Sequence, residues 1–345
     1  MRKHKKAYTL IAIVIVGFGF INLKSIIYGL QQGAGQAEVL WNAKKIEGLL
    51  TDSTFPDSTK DKFKYIAEVK AFSEQFLGLN QTQNYSTFYD QKGKPILWVV
   101  TASPEFEIKA YEWSFPIAGS FPYKGSFDLE IAKEIQAEMN FKGFDTELDE
   151  VNAWSTLGWF KDPILSSMLQ RGSGSLAELI IHESTHATLY VKDSAAFNEN
   201  LASFVGKLGA EKFLAYKFGE ESKELRDYKN SRIRRNVYKD YLRKEINVLN
   251  GVYGKIDTTQ TIEKRRAMKL QQIEKIREGL FEINFFSDSL KGRVWLDKLE
   301  FNNAYFSGFS TYSSDLPKLG KQLQKEFNGD LKEMVTSFKG RYESL

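Results

Sequence analysis

The 345-residue chain contains no cysteine and only 3 histidines. Without cysteine there can be no disulfide, no thiol nucleophile and no lipid-modified cysteine anchor. A charge excess of the kind that follows nucleic acid is also missing. The formal net charge is +4, and Arg2, Lys3, Lys5 and Lys6 sit together at the N-terminus, so the remainder is nearly balanced and nucleic-acid binding has no support. Internal repeats and low-complexity tracts are absent. With 42% hydrophobic and 27% charged residues, the chain is long enough to bury a sizeable core in one or two domains.

The N-terminal basic cluster precedes Ala7–Leu23, a run that is apolar apart from Tyr8, Thr9 and Asn22. That pattern marks residues 1–28 as a targeting or anchoring segment. No small-x-small cleavage site follows it, which favours an uncleaved anchor. Positive charge stays on the cytoplasmic side, so residues 29–345 are expected as one domain outside the cytoplasm, on the periplasmic side of the inner membrane if the cell has two membranes.

Histidine scarcity makes the placement of histidine informative. Two of the three lie in His182-Glu183-Ser184-Thr185-His186 and the third is His4. On a helix, residues i and i+4 share a face about 5–6 Å apart, so both imidazoles can reach one metal ion. Glu183 projects to the side of His182, where a general base for a metal-activated water belongs. A capping box at Ser175…Glu178 predicts the helix start, and Leu176, Leu179, Ile180, Ala187 and Val191 give it an apolar stripe. A tetrahedral site needs a third protein ligand. With no histidine left, Asp193, Glu199 and Glu211 are the nearby carboxylates. Glu199 is favoured, because it starts a second helix, Ala195–Leu208 closed by Gly209, that a turn at Lys192-Asp193-Ser194 would fold back on the first.

The run His182-Glu183-x-x-His186-x-Thr-x-Tyr190, followed by Phe197-Asn198-Glu199-x-x-Ala202-x-Phe-Val-Gly206, resembles a bacterial aminopeptidase family of gluzincin-type metallopeptidases. The segment Ser155-Thr-Leu-Gly-Trp-Phe160-x-Asp-Pro163, the Tyr28…Gln…Gly-Gln36 stretch and Asn302-Asn303-Ala304 are similar to that family too. The resemblance implies Zn²⁺ on His182, His186 and Glu199, with Glu183 as base and a peptide or protein as substrate. Two departures matter. Only 12 residues separate His186 from Glu199, fewer than in thermolysin-like enzymes, and Ser203 stands where those enzymes carry aspartate. The partner that orients a histidine is thus unidentified, with Asn198 and Asp193 available. Zinc peptidases need a donor for the developing oxyanion, and Tyr312 is the candidate, with Tyr305 behind it.

The expected fold is α+β and mostly helical: a zincin-like core of a small sheet plus the HExxH helix, joined by a long helical hairpin. Pro95–Thr101 reads as a central strand and Trp113–Tyr123 as strand and turn pieces. Ser126–Phe141 reads as an amphipathic helix ended by Gly143, Phe144–Leu148 as a strand, and Leu316–Phe338 as terminal helices. Residues 211–284, dense in alternating charges, read as the hairpin, punctuated at Asn250-Gly251 and Gly254. The competing reading is a membrane-displayed binding or scaffold protein with a relic or structural metal site. An open metal position favours the enzyme and a fourth protein ligand favours the scaffold.

Overall fold

A computed structural model describes residues 23–115, 119–151, 161–192, 194–257, 259–283, 298–311 and 316–344. The expected N-terminal anchor lies almost wholly outside these residues. Among the described residues no helix is long and apolar enough to cross a membrane.

The chain opens with α1 (Leu23–Asn42), then β1 (Lys44–Lys45), α2 (Ile46–Thr51) and α3 (Asp57–Leu77). The Gly/Gln-rich stretch 28–36, which reads as a linker, is therefore helix. Tertiary contact overrides glycine's poor helix propensity. Tyr28 stacks on Phe115 at 5.7 Å and its hydroxyl donates to the Gly125 carbonyl at 2.5 Å. A Cβ on Gly35 would stand 2.3 Å from the Phe127 ring, so glycine there is what lets the helix come so close.

Three small sheets follow. Strands β2 (Thr87–Tyr89), β3 (Leu97–Pro104), β4 (Trp113–Phe115), β5 (Gly119–Phe121) and β6 (Lys124–Ser126) precede helix α4 (Leu129–Phe141) and strand β7 (Phe144–Val151). The two-residue β8 (Ile164–Leu165) leads to a 3₁₀ turn, Met168–Gln170. The antiparallel order β6–β3–β7 puts β3 in the centre, as its nearly continuous apolar run predicts. β1, β2 and β8 form a mixed sheet with β8 at an edge and parallel to β2, while β4 and β5 form a hairpin. The helix starts later than the predicted Ser126: Asp128 caps it by accepting from the amides of Glu130 and Ile131, and Gly143 turns the chain at φ 83°.

The rest is helical: α5 (Ser173–His186), α6 (Ala195–Phe218), α7 (Lys223–Tyr253), α8 (Ile262–Phe281), α9 (Asn303–Thr311), α10 (Leu316–Phe327) and α11 (Leu331–Arg341). Helices α7 and α8 are the expected hairpin, with corrected limits. Glu211 belongs to α6, and α7 runs through Asn250-Gly251 to end at Tyr253. The main core packs α3, α5, α6, α10 and α11 against the β2/β8 sheet, with Ile66, Leu77, Ile164, Leu176, Ile180 and Phe213 fully buried. A second core joins α7, α8 and α9 through Leu242, Leu249, Ile276 and Phe306.

Asn302 and Asn303 tie that second core to the sheet. Asn303 is fully buried; its side-chain amide donates to the Pro104 and Glu105 carbonyls at 2.9 and 3.0 Å and accepts from the Tyr253 hydroxyl at 2.6 Å. Its backbone amide donates to Asp145, which also pairs with buried Lys269 at 2.5 Å. Asn302 donates to the Thr146 carbonyl at 2.9 Å. The Asn-Asn-Ala string is thus a structural pin at the ends of β3 and β7.

Beside this joint, the Glu147 carboxyl on β7 is pushed up to about 8, first by burial and then by the charge of Asp149. Folding therefore takes up a proton that the unfolded chain releases near 4.5. Stability should fall as pH rises from about 4.5 to about 8 and level off above that. Glu147→Gln is expected to flatten this slope and raise stability at pH 8 by up to a few kcal/mol, measured as denaturation midpoints across that range.

Candidate metal centre

Helix α5 begins three residues earlier than the capping box predicts. Gly172 is its N-cap and no side chain caps it. Ser175 lies inside the helix, and Glu178 is drawn outward instead, accepting from the Tyr228 hydroxyl at 3.0 Å and from Arg235 at 2.9 Å. The helix stops at His186, so Ala187 and Val191 of the expected stripe belong to the turn that follows. Within it, Ser184 and Thr185 return their hydroxyls to the Ile180 and Ile181 carbonyls at 2.7 and 2.8 Å, which satisfies two polar side chains in a buried helix.

Helix α6 folds back on α5 and packs close to it. Gly209, which reads as a helix end, is instead mid-helix, since α6 runs to Phe218. Its role is proximity: a Cβ there would lie 2.7 Å from Leu77 and 3.0 Å from Ile181. A Cβ on Gly206 would lie 3.0 Å from the Glu178 carbonyl oxygen and 3.2 Å from His182 Cβ. Ala202 and Ala210, both fully buried, extend the same narrow seam. Glu199 and Gly206 are seven residues apart, two turns of helix, so the face of α6 that touches His182 also carries Glu199.

Asn198 fixes the turn between the two helices. Its side-chain oxygen accepts from the Val191 amide at 2.9 Å and its nitrogen donates to the Val191 carbonyl at 2.8 Å. Asn198 is 1% exposed. It holds Glu199 in register rather than orienting a histidine. Asn198→Ala removes both bonds and leaves two backbone groups unpaired. We expect a loss of about 2–4 kcal/mol of unfolding free energy by denaturant titration, whereas an exposed asparagine would cost nearly nothing.

The result is a compact triangle of ligand atoms. His182 Nε2 lies 3.1 Å from His186 Nε2, His186 Nε2 lies 3.2 Å from Glu199 Oε1, and His182 Nε2 lies 3.6 Å from Glu199 Oε2. Two ligands bonded at zinc distances in a tetrahedron stand roughly 3.3 Å apart, so the triangle has the dimensions of three corners of such a site. No further His, Cys, Asp or Glu joins this group among the described residues. Side-chain exposure rises from 4% at His186 through 21% at His182 to 37% at Glu199, so the group opens on the Glu199 side.

Protonation suits ligation. Burial, then the charge of His186, lowers His182 to about 4, so its imidazole is neutral at pH 7. Burial works against charge on Glu199, but its hydrogen bond to His186 and the two imidazoles outweigh that and hold it below the usual carboxylate range. His186 Nδ1 is buried with no hydrogen-bond partner among the described residues. A ligating histidine ordinarily gives that proton to an acceptor. Asn198 is engaged elsewhere, and Asp193 lies outside the described residues.

Three tyrosines near the group have no role in the sequence reading. The Tyr190 ring stands edge-on to His186 at 5.8 Å. Burial first, then the charge of Glu199, pushes both Tyr190 and Tyr123 upward. Tyr85 is buried with a left-handed φ of 64°, and its hydroxyl has no partner among the described residues. Burial raises it well above the ordinary value, and the charge of Glu183 is the next cause. Such strain persists only where the surroundings enforce it. The positive φ of a tyrosine has no signature in sequence, whereas Tyr190 lies inside the quoted motif.

Other expected participants stand apart. Glu211 pairs with Arg232 and is outside the ligand group. The Tyr305 hydroxyl hydrogen-bonds with Tyr238, near Glu147 and Asp149. Tyr312 and all of the Ser-Thr-Leu-Gly-Trp-Phe string, 155–160, lie outside the described residues.

Neither the curated proteins nor the solved structures offer a match to this chain. A family described as "putative aminopeptidase" matches residues 27–342. Nearly the whole chain is covered, including the elements that carry the two histidines and Glu199, and the protein therefore belongs to the putative aminopeptidase family.

Proposed function

We propose that this member of the family is a zinc-dependent peptidase of the gluzincin type, held at the membrane by residues 1–28 and acting on peptides outside the cytoplasm. The observation that carries the reading is the triangle of two imidazole nitrogens and one carboxylate, sized for a tetrahedral ion and open on one side. Two nitrogens and one oxygen are a donor set suited to zinc. A zinc ion held there supplies a Lewis acid and lowers the pKa of water towards about 7.

Glu183 accepts a proton from the attacking water and delivers it to the leaving amine. Tyr190 and Tyr123 both feel the charge of Glu199, and their hydroxyls are suited to donate to the oxygen that gains charge. Tyr312 is the sequence-based candidate for the same task. The small residues of α6 hold His182 against Glu199, and Asn198 sets the turn between them. Support for the anchor is the basic cluster followed by the apolar run Ala7–Leu23.

The test uses the full chain, purified in detergent. Metal analysis should find one zinc per chain. A peptide series with free and acetylated N-termini should be hydrolysed only with the amine free, lost with chelator and restored by zinc. Hydrolysis of both forms alike would make the enzyme an endopeptidase. No zinc and no hydrolysis would overturn the reading.

A further inference from the structure

The face of α6 and α7 next to His182 carries more positive charge than its carboxylates match. Lys207 follows Gly206, the residue pressed on His182 and the Glu178 backbone. Across from it on α7 are Arg232, Arg235 and Lys239, near enough that their charges act on Lys207. Two carboxylates answer these four cations. Arg235 takes Glu178, and Arg232 takes Glu211. Lys207 and Lys239 have no ion pair or hydrogen bond among the described residues, although each is partly buried. Burial lowers Lys207 to about 8, with repulsion from Lys239 next and the charge of Glu178 working the other way, so it keeps its charge at pH 7. Burial also lowers Lys239, followed by repulsion from Arg235 and Arg243.

Partly burying two ammonium groups whose charges repel is unfavourable without an anion. Arg232 and Arg235 are already engaged, so the unmet demand falls on the two lysines. Lys207 is eight residues beyond Glu199, about 12 Å along the axis, and a lysine side chain can close several Å of that gap. At about 3.3 Å per extended residue, an anion at the lysines is two or three residues from a peptide bond held at the triad.

We infer that Lys207 and Lys239 form a carboxylate-binding subsite for the peptide substrate, two or three residues from the bond that is cleaved. The carboxylate belongs to an acidic side chain or to the C-terminus of a short peptide. The inference rests on the peptidase reading and gives it a substrate class: short or acidic peptides.

The experiment compares four tetrapeptides with a free amino end on the zinc-loaded full chain. One is neutral with an amidated C-terminus, one is the same sequence with a free carboxylate, and two are amidated with Glu or Gln at the third position. Wild type should show a kcat/KM about tenfold or more higher, mainly through KM, for a carboxylate-bearing peptide. Preference for the free C-terminus identifies a short-peptide enzyme, and preference for Glu over Gln an acidic-sequence enzyme. Lys207→Met and Lys239→Met should each cut that preference several-fold, leaving zinc content and the rate on the neutral amide unchanged, and Lys207→Arg should retain it. Equal rates on acid and amide peptides, or a preference untouched in both methionine variants, would overturn the subsite. Hydrolysis of the neutral amide still reports on the peptidase reading alone. If no peptide is cleaved, calorimetric binding of the same peptides to the zinc-loaded protein reads the subsite, with equal affinities for acid and amide counting against it.

Discussion

Glu183→Gln is expected to lower peptide hydrolysis by about 10²–10⁴-fold, the range a positioned acid–base group supplies, with one zinc per chain retained. The swap preserves size and hydrogen-bonding shape but removes the site that accepts the proton. Glu183 is not among the three ligand atoms that converge, which is why metal content should not change. The decisive comparison is kcat and bound zinc measured on the same preparation. Full activity in the variant would remove Glu183 as base. Lost zinc would mean that it ligates.

Glu199→Ala should act on the metal first. Even changes to the outer partners of a ligand cost about 10–100-fold in affinity, so removal of one of three ligands should weaken zinc binding by more than about 100-fold. A ligand that binds only the folded state at 100 times its dissociation constant adds about 2.7 kcal/mol. Zinc should therefore raise the melting temperature of wild type and leave that of Glu199→Ala almost unmoved. Glu211→Ala is the control. That carboxylate was an alternative on sequence grounds, but its Arg232 pair places it off the centre, and its removal should leave the zinc response intact.

Much of the candidate site was legible before any fold. The i, i+4 histidines needed only helical periodicity, which is local, and their scarcity elsewhere made the pair stand out. Glu199 is the favoured carboxylate because a short turn between two helices leaves few ways to pack them. The central position of β3 was readable for a similar reason, since a strand flanked on both sides has no polar alternation to show.

Other features had no local trace. Gly209 looks like a helix end, because glycine commonly follows one, yet it serves an approach of α6 to Leu77 and Ile181. The Ser175…Glu178 capping pattern gave way to Tyr228 and Arg235, which arrive from α7 about 50 residues later and bind Glu178. Asn198 looked available for a histidine, and a turn seven residues earlier claimed it. In each case a contact distant in sequence, or a backbone group, outcompeted the local pattern.

The sequence by itself determined the candidate ligand types, the candidate base beside them and the helical character of the C-terminal half, because these depend on residue identity and short-range spacing. The tertiary structure alone decided that the three ligand atoms meet at 3.1–3.6 Å, which tyrosines surround them and which lysines remain unpaired. Those outcomes depend on how closely α5, α6 and α7 approach one another, and that distance is set by side chains many turns apart.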